Sequence, residues 1–203
     1  MKHGILTAGL IMLVVSAPSS WSASHSPLDA VRTTVSGVID VLKARGADGA
    51  VDRERIGALI RDRFYFRGMA QSILGPGWRS ASDEDQTRFV DLFSQMLIRL
   101  YMGRIEAYTN ETVEYTKEDV QDNRATAETQ IVTKDARIPI RYSLIEKDGQ
   151  WLVYDVAIEG VSLIRNYRTS YREIHRNEGM NGLLTRIETK LKDLESGKQD
   201  PQP

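Results

Sequence analysis

Residues 151–168 read WLVYDVAIEGVSLIRNYR, and this segment decides the fold. Its first half has the two-residue period of a strand with one buried face, which we assign to Leu152, Tyr154, Val156 and Ile158. Gly160 then interrupts the strand. Beyond it, apolar residues recur every three or four positions, as on one side of a helix that continues to about Asn177; they are Ile164, Tyr167, Tyr171 and Ile174. The segment predicts a strand followed by a helix.

Helices are predicted on both sides of this segment. They run from Ser26 to Ala44 or Arg45, from Asp52 to Arg63, from Phe66 to Leu74 and from about Asp83 to Tyr108, and a last one runs from Asn181 to Glu195 after Gly179. Ser26 and Asp52 are suited to cap their helices, and Gly75-Pro76-Gly77 ends the third. The first helix has an apolar stripe of Val31, Val35, Val38 and Leu42.

Four alternating segments predict strands at Glu111–Glu118, Asn123–Thr133, Arg137–Glu146 and Gln150–Ile158. Lys147-Asp148-Gly149 is a hairpin turn between the last two. The fold class is therefore α+β: an antiparallel sheet of about four strands, with several helices packed mostly on one face.

Two features of the sequence bear on a cavity between these layers. Apolar residues cover more than half the circumference of the 83–108 helix, so it is either a core helix or lines a ligand cavity. The second strand places the small residues Ala125, Ala127 and Thr129 on its inner face. They either leave room for a ligand or are covered by large neighbours.

Composition restricts the class of protein. Residues 1–23 resemble a secretory signal, with Lys2 before a short apolar run, which predicts export and a soluble mature protein. We expect one domain at 24–196, a disordered tail at 197–203 and a monomer. The chain has no cysteine, and its 27 basic and 28 acidic residues give no general attraction to nucleic acid. No pattern of a catalytic site, metal site or cofactor site was found, so we expect neither an enzyme nor a cofactor.

The same segment carries a family resemblance, in Trp151, Val153-Tyr154-Asp155-Val156, Ile158, Gly160-Val161-Ser162-Leu163-Ile164 and Asn166-Tyr167-Arg168. An upstream block matches in Phe64, Phe66, Met69-Ala70, Leu74-Gly75 and Trp78, followed by Phe89 and Phe93. Together these blocks resemble the MlaC, or toluene-tolerance, family of periplasmic lipid carriers. The resemblance implies a protein that holds the two acyl chains of a phospholipid. It also implies two partners, an inner-membrane ABC transporter complex and an outer-membrane lipoprotein complex.

Two sets of candidate site residues follow. The expected lipid-binding residues are Met69, Leu74, Phe93, Leu97, Tyr101, Ala125, Ala127, Ile140, Tyr142, Tyr154, Val156, Ile158, Leu163 and Tyr167. A stripe of four arginines on the signature helix is either a solvated face, a dock for an acidic partner or a contact for anionic headgroups; its members are Arg165, Arg168, Arg172 and Arg176. Alternatives for the function are a carrier of another lipid such as a hopanoid, a ligand-free scaffold and an enzyme of an α+β cone-like fold.

Overall fold

The computed structural model describes residues 26–47 and 49–197. The expected signal at 1–23 lies outside the described residues, as does the expected tail apart from Gly197. The helices are α1 (Pro27–Lys43), α2 (Arg53–Arg63), α3 (Phe66–Leu74), α4 (Pro76–Ser80), α5 (Asp83–Glu106) and α6 (Leu163–Glu195). The strands are β1 (Thr112–Gln121), β2 (Arg124–Val132), β3 (Arg137–Lys147), β4 (Gln150–Ile158) and β5 (Val161–Ser162).

Side-chain caps begin the helices where the sequence predicts them. The Ser26 hydroxyl accepts a hydrogen bond from the Asp29 amide at 3.1 Å, and the Asp52 carboxylate accepts one from the Arg55 amide at 2.9 Å. The short helix α4 was not predicted, because Gly75-Pro76-Gly77 had been interpreted only as a helix end. Within the described residues, no helix has the length and apolar character needed to cross a bilayer.

The five strands form one antiparallel sheet in the order β1-β2-β3-β4-β5. The prediction of about four strands is corrected by β5. Glu159 and Gly160 have φ of 51° and 82°, so the chain turns back and pairs Val161 with Ile158 before the helix begins. The two predicted helical segments after it meet within α6, at a kink where Gly179 has φ 71° and ψ −175°.

A β-bulge in β4 changes which residues face the helices. Ser143 lies opposite Asp155 but Leu144 lies opposite Val153, so Tyr154 is an extra residue between them. The bulge places Val153 in the core and turns Tyr154 to the outer face, where its ring lies 5.1 Å from the Arg124 guanidinium. The inward assignment of Leu152 and Tyr154 was therefore wrong, whereas that of Val156 and Ile158 was right. Trp151, which the predicted alternation would place on the opposite face from Leu152, is 6% exposed.

Asp155 connects this bulge to the start of α6. Its carboxylate accepts hydrogen bonds from the Ser162 hydroxyl at 2.6 Å and from the Ile164 amide at 3.1 Å. The Ser162 hydroxyl in turn accepts one from the Arg165 amide at 3.1 Å. The two side chains satisfy amides that the first turn of a helix leaves unpaired. The spacing of Asp155 and Ser162 in the sequence thus fixes the direction in which α6 leaves the sheet.

The buried apolar residues form two clusters. The helix cluster joins α3, α5 and α6 around stacked Phe89 and Phe93, whose rings meet Tyr167 and Tyr171 edge-on. Burial raises the pKa of both tyrosines well above the ordinary value. The sheet cluster packs Ala30 and Val31 of α1 on the inner face of the sheet; its other members are Ala125, Ala127, Leu144, Trp151, Val153 and Val156. Val41 and Leu42, near the other end of α1, belong to the helix cluster.

The arginine stripe of α6 is divided by its contacts. Arg168 Nε donates to the Ser72 carbonyl at 3.1 Å and Arg172 Nε to the Ile73 carbonyl at 2.8 Å, so both bind the last turn of α3. Among the described residues, the guanidinium groups of Arg165 and Arg176 make no such contact, and both residues are exposed. All four residues are exposed, but among the described residues only Arg168 and Arg172 of the stripe bind the α3 carbonyls, so Arg165 and Arg176 are the two guanidinium groups left without this contact.

We predict that removing the cap of α6 destabilises the protein. Asp155→Ala is expected to lower the free energy of unfolding by about 1–3 kcal/mol, because it leaves the Ile164 amide and the Ser162 hydroxyl without their acceptor. Ser162→Ala should cost about 1 kcal/mol, and the double variant less than the sum, because the two groups share a hydrogen bond. Urea denaturation measures all three. Ser143→Ala, opposite Asp155 in the sheet, is the control, and an effect of Asp155→Ala as small as the control's would contradict this role.

The divided stripe gives a second prediction. Arg172→Gln should lower the free energy of unfolding by about 1–2 kcal/mol, because it removes a charged donor from the α3 carbonyls. Arg176→Gln, four residues along the same helix, should change it by less than about 0.5 kcal/mol. Thermal denaturation of the two matched variants tests whether Arg172 stabilises the fold more than Arg176 does. Equal shifts would show that Arg172 is as free as Arg176.

Candidate functional site

A cavity of about 790 Å³ lies between the inner face of the sheet and helices α1, α2 and α5. Its volume is within the range typical of small-molecule binding pockets, about 300–1,000 Å³. The walls are mostly aliphatic and aromatic side chains. From α1 they are Val31, Val35, Val38, Ile39 and Leu42; from α5 and the segment after it, Leu97, Ile98, Tyr101, Ile105 and Tyr108; from the sheet, Val113, Ile131, Ile138, Ile140, Tyr142, Val153, Val156 and Ile158.

The cavity lies where the two buried clusters separate. At one end of α1, Ala30 and Val31 pack directly on the sheet. Further along, Val35, Val38 and Leu42 face the cavity, and Leu42 also joins the helix cluster. The inner-face residues of the sheet at this end, such as Ile138 and Ile140, are only half-buried. The helix thus closes the cavity at one end and leaves the other open.

Arg63 supports the closed end. Its Nη1 donates to the Trp151 carbonyl at 2.7 Å, and its Nε donates to the Thr34 hydroxyl at 3.0 Å. These bonds join α2 to β4 and α1, which accounts for a guanidinium in an apolar wall. Burial lowers the pKa of Arg63 from its ordinary value. We assign Arg63 a structural role as a brace.

Polar lining residues gather at the opposite end of the sheet. Glu111 precedes β1 and Thr133 follows β2, and these strand ends are adjacent because Thr112 pairs with Val132. Glu159 follows β4, and its amide donates to the Pro139 carbonyl of β3 at 2.9 Å. Arg104, on the last turns of α5, completes the polar lining at this end. Because Arg104 and Glu159 are exposed, we identify this end as the mouth of the cavity.

The structure brings half of the predicted lipid-binding residues onto the cavity wall. Those that line it are Leu97, Tyr101, Ile140, Tyr142, Val156, Ile158 and Leu163. Met69, Leu74, Phe93 and Tyr167 are instead buried in the helix cluster. Ala125 and Ala127 are buried in the sheet cluster, and Tyr154 lies on the outer face because of the bulge.

The small residues of β2 have a different role from the one proposed from the sequence. Ala125 and Ala127 are 5% and 0% exposed, in a cluster with Ala30, Val31 and Trp151. The absence of large side chains lets α1 approach the sheet closely, and the large side chain of Trp151 is buried in the same cluster. Of the two alternatives for these small residues, cover by neighbouring side chains is therefore the one observed. The cavity begins beyond these residues.

Sequence reasoning missed the contribution of α1 to the site. The stripe of Val35, Val38 and Leu42 was recognised but was attributed to packing alone. Periodicity shows that a helix has an apolar face, but not whether that face meets protein or empty space. Ile39, which lies beside the stripe and lines the cavity, widens the apolar arc and was the available indication.

Apart from Arg63 and the charged residues at the mouth, the lining is a neutral, mostly apolar surface. Burial raises the pKa of Tyr101 and Tyr142 above the ordinary value, so both hydroxyls stay protonated near neutral pH. Within residues 26–47 and 49–197, no group of three or more His, Asp or Glu side chains is arranged to hold a metal ion. The arrangement is suited to binding a large apolar ligand by area and shape.

Several known proteins are similar to this chain in fold or in sequence. A solved phospholipid-binding protein from Ralstonia solanacearum, in complex with a phospholipid, superposes with a TM-score of 0.75 at 23% identity, over 84% of this chain and 99% of the other, and so shares its fold. The toluene tolerance protein ttg2D of Pseudomonas putida is 24% identical over 183 residues, covering 86% of this chain and 85% of the relative. The intermembrane phospholipid transport system binding protein MlaC of Haemophilus influenzae is 25% identical over 122 residues, covering 57% of each chain.

The family model described as MlaC protein matches residues 32–189, a range that contains α2–α5, the whole sheet and most of α6. Both sequence blocks that carry the resemblance fall inside it. The chain therefore belongs to the MlaC protein family.

Proposed function

We propose that this chain is a periplasmic carrier that holds the acyl chains of a phospholipid in the cavity and moves the lipid between the inner and outer membranes. The observation that carries the proposal is the apolar cavity of about 790 Å³ that is open at one end. The ligand of the Ralstonia protein and the names of the relatives support the class of ligand. The export signal expected at 1–23 supports the compartment.

The volume is appropriate for acyl chains. At about 790 Å³ it lies toward the upper end of the range of small-molecule binding pockets, about 300–1,000 Å³, as long acyl chains require. The charged residues at the mouth would then meet the headgroup, while the tails lie against the apolar walls.

The energetics are those of a carrier. Removing a methylene from water is favourable by about 0.8 kcal/mol, so a lipid with two tails does not leave a bilayer for water at a useful rate. Transfer from the bilayer to the cavity exchanges one apolar environment for another, and its free-energy change is therefore small compared with that of transfer to water. A cavity of this kind lowers the cost of crossing the aqueous space without trapping the lipid.

We further propose an inner-membrane ABC transporter complex and an outer-membrane lipoprotein complex as partners, with the chain acting as the soluble, monomeric and non-enzymatic component. Support comes from the family and from the transport system named for the Haemophilus relative. Arg165 and Arg176 are the part of the arginine stripe that remains free for an acidic partner surface among the described residues.

The proposal predicts that filling the cavity abolishes lipid transfer. Val35→Trp and Ile140→Trp each add a large ring to the lining, from α1 and β3 respectively. Both should reduce transfer of a fluorescent phospholipid between donor and acceptor vesicles by more than tenfold, because the ring occupies space that the tails require. Circular dichroism should show both proteins folded.

Gln130→Trp is the matched control, because Gln130 lies on β2 and its side chain faces away from the cavity. It should transfer lipid at the unsubstituted rate. If folded Val35→Trp and Ile140→Trp proteins transferred lipid as well as this control, the cavity would not be the lipid site. If the unsubstituted protein moved no phospholipid, the carrier proposal itself would be refuted.

A further inference from the structure

The mouth of the cavity carries three charged lining residues, Arg104, Glu111 and Glu159. Strand register places Glu111 and Glu159 at the same end of the sheet. Glu111 lies on the line of β1 and Glu159 on the line of β4, with β2 and β3 between them. Strands lie about 4.8 Å apart, so these lines are separated by roughly 14 Å. Arg104 is contributed by α5, a helix that lines the cavity together with the sheet. A headgroup that leaves the cavity at this end would pass these three residues.

Arg104 is a cation without an acidic partner. Its guanidinium lies 5.7 Å from the centre of the Tyr101 ring, which also lines the cavity. Elsewhere on this helix, Arg88 and Arg99 pair with Glu188 and Glu195 at 2.5 Å, whereas Arg104 forms no salt bridge with any described residue. A free, planar guanidinium is well suited to bind phosphate oxygens in pairs.

The two acids at the mouth are also unpaired with any cation of the described chain. The Thr109 amide and hydroxyl donate to the Glu111 carboxylate at 2.7 and 3.0 Å. The hydrogen bond from the Thr109 amide, with a smaller contribution from the Thr109 hydroxyl, holds the pKa of the Glu111 carboxyl below its ordinary value. Glu111 therefore stays ionised. Glu159 is exposed, and its backbone amide is held by a hydrogen bond that it donates to the Pro139 carbonyl. Three separate full charges therefore face the opening, with a sum of −1.

Resting on the proposed function, we propose that Arg104 binds the lipid phosphate and that Glu111 and Glu159 select a headgroup that also carries an ammonium group. A zwitterionic aminophospholipid then brings its phosphate to Arg104 and its ammonium group to one of the two carboxylates, which lie too far apart to contact it together. A net-anionic headgroup such as that of phosphatidylglycerol offers the same phosphate to Arg104 but no ammonium group to the carboxylates, so its negative charge stays uncompensated beside them. The mouth is narrower than two Debye lengths at 0.1 M salt, so these charges act on any headgroup within it.

The test is competitive loading from phosphatidylcholine vesicles that contain equal amounts of phosphatidylethanolamine and phosphatidylglycerol with identical acyl chains. Bound lipid is identified by mass spectrometry. The protein should take up phosphatidylethanolamine over phosphatidylglycerol by about threefold, a ratio in the range that exposed charges produce. Glu111→Gln with Glu159→Gln should remove this preference. Arg104→Gln should lower loading of both phospholipids about tenfold but leave loading of diacylglycerol, which has the same tails and no phosphate, unchanged.

Lys134→Gln is the control for charge near the mouth, because Lys134 is exposed beside Thr133 and does not line the cavity. It should leave both ratios unchanged. Equal loading of the two phospholipids, a preference for phosphatidylglycerol, or an Arg104→Gln protein that distinguishes phospholipid from diacylglycerol as the unsubstituted protein does would each overturn the inference while leaving the carrier intact. Failure to load any of these lipids would refute the carrier proposal and the inference with it.

Discussion

The structure depends on one constraint: α1 packs on the sheet at only one of its ends. Ala125 and Ala127 are small enough for Ala30 and Val31 to approach the sheet. At the other end, Val41 and Leu42 pack into the helix cluster, and Arg45 donates to the Glu106 and Tyr108 carbonyls at the end of α5. The helix α1 is thereby attached to the sheet at one end and to the helix cluster at the other. The space between them is the cavity, so its size follows from how far the two clusters are separated.

The helix cluster has its own set of aromatic contacts, separate from the sheet. Phe89 and Phe93 of α5 contact Tyr167 and Tyr171 of α6. Two arginines of α6, Arg168 and Arg172, bind the end of α3. The cap formed by Asp155 and Ser162 joins this cluster to the sheet at β4 and fixes the start of α6. The residues that carry the family resemblance are therefore mainly those that build the frame of the cavity. Much of the cavity wall comes from other residues.

This division explains what could be predicted from the sequence. Helix starts at Ser26 and Asp52, the strand pattern and the break at Gly179 depend on local chemistry, and they were predicted correctly. The fifth strand and the bulge at Tyr154 depend on pairing across strands, which one-dimensional alternation does not report. Met69 and Phe93 were placed in the site because they are apolar and belong to the resemblance. Only the three-dimensional packing distinguishes an apolar residue in a core from one on the wall of a cavity.

The central claim is that this cavity holds phospholipid tails. The most direct measurement is native mass spectrometry, with lipid extraction, of the protein exported to a bacterial periplasm and purified without detergent. The account predicts a complex with one two-chain phospholipid, which separates into protein and lipid on activation. A homogeneous, folded protein without bound lipid would contradict it, and a bound polycyclic lipid in place of a phospholipid would contradict the assignment of the ligand.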